Sequence, residues 1–326
     1  MKILGIGNAL VDILTNLESD RYFTEMGLIK SGMKLIEKDQ LMKIIGLIEG
    51  MDSKLASGGS ASNTISGLAR MGVDCGFIGK VGNDTYGNFY RDDLINNGVH
   101  PLLTEAEMAS GCAMCMITPD GERTMGTYLG AAATLHANDL EAEMFGGYDI
   151  LHAEGYLVQD HNLIQTAFKM AKEAGLKISI DLASFNIIEG DLEFFQMLVR
   201  DYVDIVFANE EESFAFTQAA PDEACRIIAA QCEVAIVKKG SKGSIIRRGE
   251  EVVEVGVRKS ECIDTTGAGD LYAAGFLYGL TKDLSLDKCA RIGAVLSGNV
   301  VEVIGPKMGG SRWEVIRRDV DGIIAG

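Results

Sequence analysis

The chain has 326 residues, 47% hydrophobic and 24% charged, and its 30 Lys and Arg against 47 Asp and Glu leave a net charge of −17. That length supports one large α/β domain or two smaller units, and the composition is that of a folded chain with no disorder signature. The acidic balance without a basic stripe argues against a nucleic-acid partner, the seven scattered cysteines read as free thiols of a reducing compartment, and no apolar run reaches the ~18 residues of a membrane span. Met1-Lys2-Ile3 runs straight into a strand pattern with no secretory leader, so a cytoplasmic location is expected.

Lys2 to Gly7 reads as a buried first strand, and Asn8 and Asp12 leave its carboxyl end. In an open α/β sheet that end faces the ligand crevice, where Asn8 offers a donor and an acceptor for hydroxyl groups and Asp12 an acceptor; ordinary turn chemistry accounts for the pair equally well. The same place holds two of the three glycines of a dinucleotide-binding turn, but Leu10 stands at the third and no helix follows, which disfavours an NAD(P)-dependent oxidoreductase. Ile13 to Lys38 is irregular, and Lys38 to Gly50 is a helix with Leu41, Ile44, Ile45 and Ile48 at helical spacing. A glycine turn, Gly58-Gly59-Ser60-Ala61-Ser62-Asn63, then opens a helix from Ala61 to Met71. The glycines let a ligand approach the backbone and Asn63 points at it, unless Ser60 is a plain N-cap.

A strand over Cys75–Val81 and a helix over Asp84–Asn97 precede two β-rich runs, Ala109–Thr118 and Arg123–Leu129, joined by a Pro119-Asp120-Gly121 hairpin turn. The hairpin interrupts the alternation of strands and helices. Residues 13–38 and 105–130 are therefore expected to form a small β lid over a core of residues 1–12, 39–104 and 131–326. Its closure excludes water from the site, and its open edges offer a homodimer contact. Arg123, near the tip, reads as an exposed turn arginine or as a contact for an anionic substrate group. Cys112 and Cys115 have metal-ligand spacing, but no second pair completes a site, so they read as buried strand cysteines.

From Tyr148 the alternation is regular: strands over Tyr148–Ala153, Lys177–Leu182, Val203–Ala208 and Val234–Val237, with helices over His161–Ala174, Leu192–Tyr202 and Glu210–Thr217 between them. Such a pattern gives a parallel sheet with helices on both faces. Glu154 and Tyr156 leave one strand end, Tyr156 as an aromatic platform for a base. Asn209, with Glu212 one turn on, fits either the orientation of water and Mg²⁺ beside a triphosphate or the usual acidic helix start. Lys238, Lys239, Gly240 and Gly243 form a loop that comes close to a nucleotide, although no P-loop and no protein-kinase motif occurs.

Asp264-Thr265-Thr266-Gly267-Ala268-Gly269-Asp270 leads into an apolar helix that begins at Leu271. The amides of Gly267, Ala268 and Gly269 make an anion cradle at a helix N-terminus, suited to a phosphoryl group in transfer. Asp270 at its edge fits the general base that takes the proton of an attacking hydroxyl; the plainer reading is a glycine turn with an acidic first helical turn. Helices over Leu286–Val301 and Trp313–Ile324 close the chain.

The glycine turn at Gly58 and the Asp264–Asp270 stretch together resemble the two signatures of the ribokinase/PfkB carbohydrate kinase family, and Asn209-x-x-Glu212 and Lys239-Gly240-x-x-Gly243 fall between them in the family's order. The resemblance covers the whole chain. It implies a ribokinase-like fold with a central, mostly parallel sheet, helices on both faces and a small β lid. It also implies an ATP- and Mg²⁺-dependent kinase acting on a primary hydroxyl of a small sugar or nucleoside. Under it Asp270 resembles the catalytic base and Gly267, Ala268 and Gly269 the anion hole. Asn8, Asp12, Gly58, Gly59 and Asn63 match sugar-binding positions, Asn209 and Glu212 the Mg²⁺ and phosphate motif, and Lys238 to Gly243 the nucleotide-contacting turn, with Lys238 where the family often has Thr. Asp264 and Thr266 match the start of a monovalent-cation site, filled by K⁺ in many members. The spacing of Asn8 and Asp12 is similar to adenosine kinase-like members, whereas Glu154 sits where a ribokinase-like carboxylate binds a free sugar. An adenosine-like nucleoside is thus set against a ribokinase-, fructokinase- or 2-keto-3-deoxygluconate kinase-type substrate. A sugar-sensing protein without catalysis would lack Asp270 or the glycines.

Overall fold

A computed structural model describes residues 1–30, 32–120 and 122–326. Gly121, the last residue of the expected hairpin turn, lies outside them, as does Ser31 of the irregular segment. The first strand, β1 (Ile3–Ile6), is buried throughout and hands the chain over at once to β2 (Leu10–Asn16), which belongs to a different sheet. α1 (Arg21–Met26), β3 (Met33–Leu35), α2 (Lys38–Ile48) and β4 (Ser53–Gly58) follow, and α3 (Ser60–Arg70) returns to the core. β5 (Cys75–Gly82), α4 (Thr85–Asn96) and β6 (Val99–Ala106) precede the hairpin strands β7 (Gly111–Ile117) and β8 (Arg123–Tyr128).

The second half begins with three short 3₁₀ turns and then alternates as expected: β9 (Ile150–Glu154), α5 (His161–Glu173), β10 (Lys177–Asp181), α6 (Phe185–Gly190), α7 (Leu192–Tyr202), β11 (Ile205–Asn209) and α8 (Glu210–Thr217). α9 (Pro221–Ala229), β12 (Val234–Lys238), and the hairpin β13 (Ser244–Arg248) and β14 (Glu251–Val255) come next, then α10 (Ala268–Thr281), α11 (Leu286–Val300) and α12 (Gly310–Ala325).

Nine strands form the large sheet in the order β14-β13-β12-β11-β10-β9-β1-β5-β6, all neighbours parallel except at the β12-β13-β14 edge. Runs such as Ile3–Ile6 and Ala235–Val237 are buried on both faces, as parallel strands under two helical layers must be. Five strands form the smaller sheet, in the order β3-β8-β7-β2-β4.

Several elements depart from the expectation. The smaller sheet takes in Leu10–Asn16 and Ser53–Gly58, so residues 10–12 and 53–58, expected in the core, pair away from it, while Glu105 and Ala106, expected in the lid, end β6 of the large sheet. β4 was hidden because Ser53, Lys54 and Leu55 are exposed at a sheet edge and carry no alternation. β6 was hidden by Pro101, which an edge strand tolerates. The β13–β14 hairpin turns at Gly249, with φ +56°, rather than at a two-residue Asn-Gly or Asp-Gly signal.

Candidate active site

The carboxyl ends of β1, β9, β10, β11 and β12 and the inner face of the smaller sheet enclose one cavity of about 1420 Å³. The crossing of α3 and α10 positions its centre. A Cβ on Gly67 would lie 2.9 Å from the Ala274 Cβ, so the two helices touch nearly backbone to backbone and their N-termini meet. There Ser60 Oγ donates to Asp270 Oδ1 at 2.8 Å, Asn63 Nδ2 donates to Asp270 Oδ2 at 3.0 Å, and Thr64 Oγ1 donates to the Asp270 carbonyl at 3.1 Å. Burial pushes the Asp270 carboxyl up to about 6, against the hydrogen bonds from Asn63 and Ser60, which favour the anion. Ser60 is therefore no N-cap: that position is Gly59, and the serine side chain serves Asp270. Asn63 Oδ1 is buried and left without a partner, an acceptor facing a cavity that a hydroxyl donor fits.

At the first glycine turn, a Cβ on Gly58 would lie 2.2 Å from Asp12 Oδ1, and one on Gly59, with φ +93°, 2.2 Å from the Asn8 carbonyl. Only glycines let β2 and β4 bring Asp12 against this turn. Burial pushes the Asp12 carboxyl up to about 7, countered by Lys307 and Arg123. Glu154 is 1% exposed and spends itself on the protein: Oε1 accepts from the Asn8 amide at 2.9 Å and Asn8 Nδ2 at 2.6 Å, and Oε2 accepts from the Ala61 amide at 3.1 Å. Burial pushes it up to about 7. It holds Asn8 and the start of α3 in place and also lines the cavity. Tyr156 lines the cavity from the 3₁₀ turn after β9, its hydroxyl 3.5 Å from the Ala183 carbonyl.

At the second glycine turn, Gly267, with φ +76°, is the N-cap of α10. Among the described residues the Gly267 and Gly269 amides have no protein acceptor, whereas the Ala268 amide donates to the Thr265 carbonyl at 3.1 Å, which removes it from the cradle read from the sequence. Lys238, the last residue of β12, sends its ammonium down into the site. It donates to Asp181 Oδ2 at 2.7 Å, and a Cβ on Gly269 would lie 3.0 Å from it. Burial lowers this lysine's proton affinity, but Asp181 and Glu212 raise it further and hold it charged. Lys238 thus places a cation beside the glycines.

Gly240, with φ +53°, and Gly243, with φ +90°, line the cavity as expected. Lys239 does not: its side chain turns outward to Glu254 at 3.0 Å and Asp222 at 3.5 Å. Asn209 and Glu212 also line the cavity, and they form a full capping box on α8, the Asn209 amide and Nδ2 donating to the carboxylate at 2.8 and 2.7 Å. Burial, then Asp181, push Glu212 upward. The acidic helix start read from the sequence is thus present, and the same pair faces the cavity. Among the described residues no cluster of three or more His, Cys, Asp or Glu side chains makes a closed metal site. The donor set fits Mg²⁺ held mainly by phosphate oxygens and water beside Asp181 and Glu212. Asp264 and Thr266 are engaged differently: Arg123 Nη1 donates to Asp264 Oδ1 and to Thr266 Oγ1. Arg123 is thus no exposed turn residue: its Nη1 is spent on Asp264 and Thr266.

Sequence reading missed Asp181, Lys307 and the placement of Arg123. Asp181 ends β10, and the rule that selected Asn8 and Glu154 at strand ends would have found it. Lys307 Nζ donates to Ser66 Oγ at 3.2 Å; burial lowers its proton affinity, and Asp93, Asp12 and Asp270 oppose this. No local pattern marks it. Among the described residues no helix is long and apolar enough to cross a membrane.

Residues 33–309 match the model of the pfkB family carbohydrate kinase. The adenosine kinase from Sinorhizobium meliloti is 35% identical, with a TM-score of 0.86 over 98% of this chain and 99% of that one. A probable sugar kinase protein from Rhizobium etli CFN 42 is 34% identical, with a TM-score of 0.87 over 99% of this chain and 98% of its own. An uncharacterized sugar kinase of Archaeoglobus fulgidus is 28% identical over 244 residues, 74% of this chain and 97% of that protein.

Proposed function

This chain belongs to the pfkB family of carbohydrate kinases, and on that premise we propose that it phosphorylates a primary hydroxyl of a purine nucleoside such as adenosine, with Asp270 as the general base. The enzyme is a carbohydrate or nucleoside kinase, and ATP is the phosphate donor that the family implies. The observation that carries the proposed roles is the meeting of two glycine turns at one carboxylate, with Asn63 and Ser60 of the first bonded to Asp270 of the second inside a shared cavity.

The acceptor hydroxyl lies between Asn63 and Asp270 and gives its proton to the Asp270 carboxylate as its oxygen bonds to the γ-phosphorus, and ADP leaves on the far side. Charge gathering on the transferred group is met by the Gly267 and Gly269 amides and by the Lys238 ammonium. Asn8 and Asp12 hold the remaining sugar hydroxyls. Mg²⁺, when bound, neutralises phosphate charge, and Asp181 and Glu212 are the carboxylates that would hold its waters. Gly240 and Gly243 let the nucleotide lie against the β12–β13 turn.

The nucleoside reading rests on the apolar roof. Met33 and Leu35 of the smaller sheet, 61% and 58% exposed, line the cavity together with Leu10, Ala113, Met125, Leu129 and Tyr156. A free sugar offers such a surface nothing to bury, whereas a purine covers it. Glu154, spent on Asn8 and Ala61, weakens the case for a free sugar. A sugar substrate remains the second reading, favoured by the sugar-kinase names of two of the similar proteins. The test is ADP release in a coupled assay across adenosine, other nucleosides, ribose, fructose and 2-keto-3-deoxygluconate. The proposal expects adenosine or a near relative to give the highest kcat/KM, and a higher value for any free sugar overturns it.

A further inference from the structure

Asp264 and Thr266 stand where a monovalent cation is implied, yet their side-chain oxygens are already taken. Asp264 Oδ2 accepts from the Gly305 amide at 2.6 Å, and Oδ1 accepts from the Thr266 amide at 3.0 Å and from Arg123 Nη1. The same nitrogen donates to Thr266 Oγ1. The Asp264 side chain is 4% exposed and that of Arg123 16%, so this is a largely dehydrated pair. A guanidinium there supplies the single positive charge that a bare cation would bring, and a second cation against the same carboxylate meets its repulsion at low dielectric. The side-chain oxygens therefore fit an arginine and are not left for K⁺.

The origin of the arginine adds a second point. Arg123 opens β8 of the smaller sheet, whereas Asp264 and Thr266 precede the Gly267 turn on the core. Asp264 ties that turn to the chain after α11, through the Gly305 amide on its carboxylate and its own amide on the Val301 carbonyl at 3.1 Å. The charge that settles this knot therefore comes from the smaller sheet and not from the core.

We propose that Arg123 takes the place of the monovalent cation in this chain, neutralising Asp264 and holding the Thr265–Gly269 turn in shape, so that turnover needs no K⁺ and the phosphate cradle is ordered by closure of the smaller sheet. Arg123 is here a positioning residue. The proposal rests on the phosphoryl-transfer reading above, and its test has one arm that does not.

Phosphoryl transfer is measured with K⁺ and with K⁺ replaced by N-methylglucamine at equal ionic strength. Wild type is expected to run within about twofold under both conditions, Arg123→Ala to be slow without K⁺ and to gain at least about tenfold on its addition, and Arg123→Lys to keep its independence of K⁺. Stimulation of wild type beyond about fivefold, or an Arg123→Ala enzyme indifferent to K⁺, overturns the proposal. The second arm is the melting temperature of the same proteins without substrate. K⁺ is expected to raise it by about 2 °C or more for Arg123→Ala and to leave wild type unchanged. A K⁺-stabilised wild type, or no K⁺ effect on Arg123→Ala, overturns the proposal. Melting needs no turnover, so it decides even if no acceptor is phosphorylated, and if Arg123→Ala does not fold, the wild-type arms alone decide in the same way.

Discussion

Two helix N-termini face the cavity behind glycine turns, α3 behind Gly58-Gly59 and α10 behind Gly267-Ala268-Gly269, and the same backbone device is set to opposite polarity at each. At α3 an acid already sits on the helix end: Glu154 takes the Ala61 amide, and Asp12 crowds the glycines. Any phosphate arriving there meets negative charge. At α10 the Gly267 and Gly269 amides stay open and the Lys238 ammonium stands beside them. A helix N-terminus therefore binds an anion only where the fold leaves its donors unspent, and the neighbouring side chains decide which substrate lies at which turn. Asp270 stands at the junction, fixed by α3 residues on an α10 backbone.

Changes at the junction break this comparison most severely. Asp270→Asn keeps the hydrogen-bonding shape and removes the proton acceptor, so kcat is expected to fall by at least about 10²–10⁴-fold while substrate affinity is nearly unchanged, measured by single-turnover transfer and by equilibrium binding. Retention of more than about a tenth of wild-type turnover contradicts the assignment. Glu154→Gln tests the polarity of α3. With its charge gone the Asn8 and Ala61 amides lose a charged acceptor, a loss of about 1–3 kcal/mol that should appear as a rise in substrate KM and a lower melting temperature.

Asn63→Ala sharpens the comparison through pH. As the proposed base, Asp270 must be deprotonated to act, and burial, which pushes its carboxyl up to about 6, sets an expected acid limb with kcat/KM falling about tenfold per pH unit below it. Asn63 favours the anion, so its removal is expected to move that limb to higher pH, and a limb that stays or moves down counts against Asp270 as the titrating base. Lys239→Ala is the smallest change. The side chain lies outside the cavity on exposed acids, and kcat and KM are expected within about twofold of wild type.

What could be read from the chain was whatever is written locally. A glycine turn at a helix start and polar residues at strand ends are local signals, and they located Asp270, Asn63, Asn8, Asp12 and Glu212 before any tertiary contact was known. Their detailed use was not legible. That Glu154 takes the Ala61 amide at the start of α3 depends on residues 93 apart, and that Lys238 turns into the site depends on Asp181, 57 residues away. Arg123 was misjudged for the same reason: a turn residue near a hairpin tip reads as solvated unless the opposite sheet is known to bring Asp264 against it, 141 positions on. The missed strands β4 and β6 lie at sheet edges, where exposure and Pro101 erase the apolar pattern on which sequence reading relies.

The most direct test of the central claim is a crystal structure of Asp270→Asn with adenosine and a non-hydrolysable ATP analogue bound together. The account predicts the ribose primary hydroxyl within about 3 Å of residue 270 and of Asn63, with the terminal phosphate over Gly267 and Gly269 beside Lys238. A terminal phosphate lodged at the Gly58-Gly59 turn, or a nucleoside whose hydroxyl points away from residue 270, would contradict it.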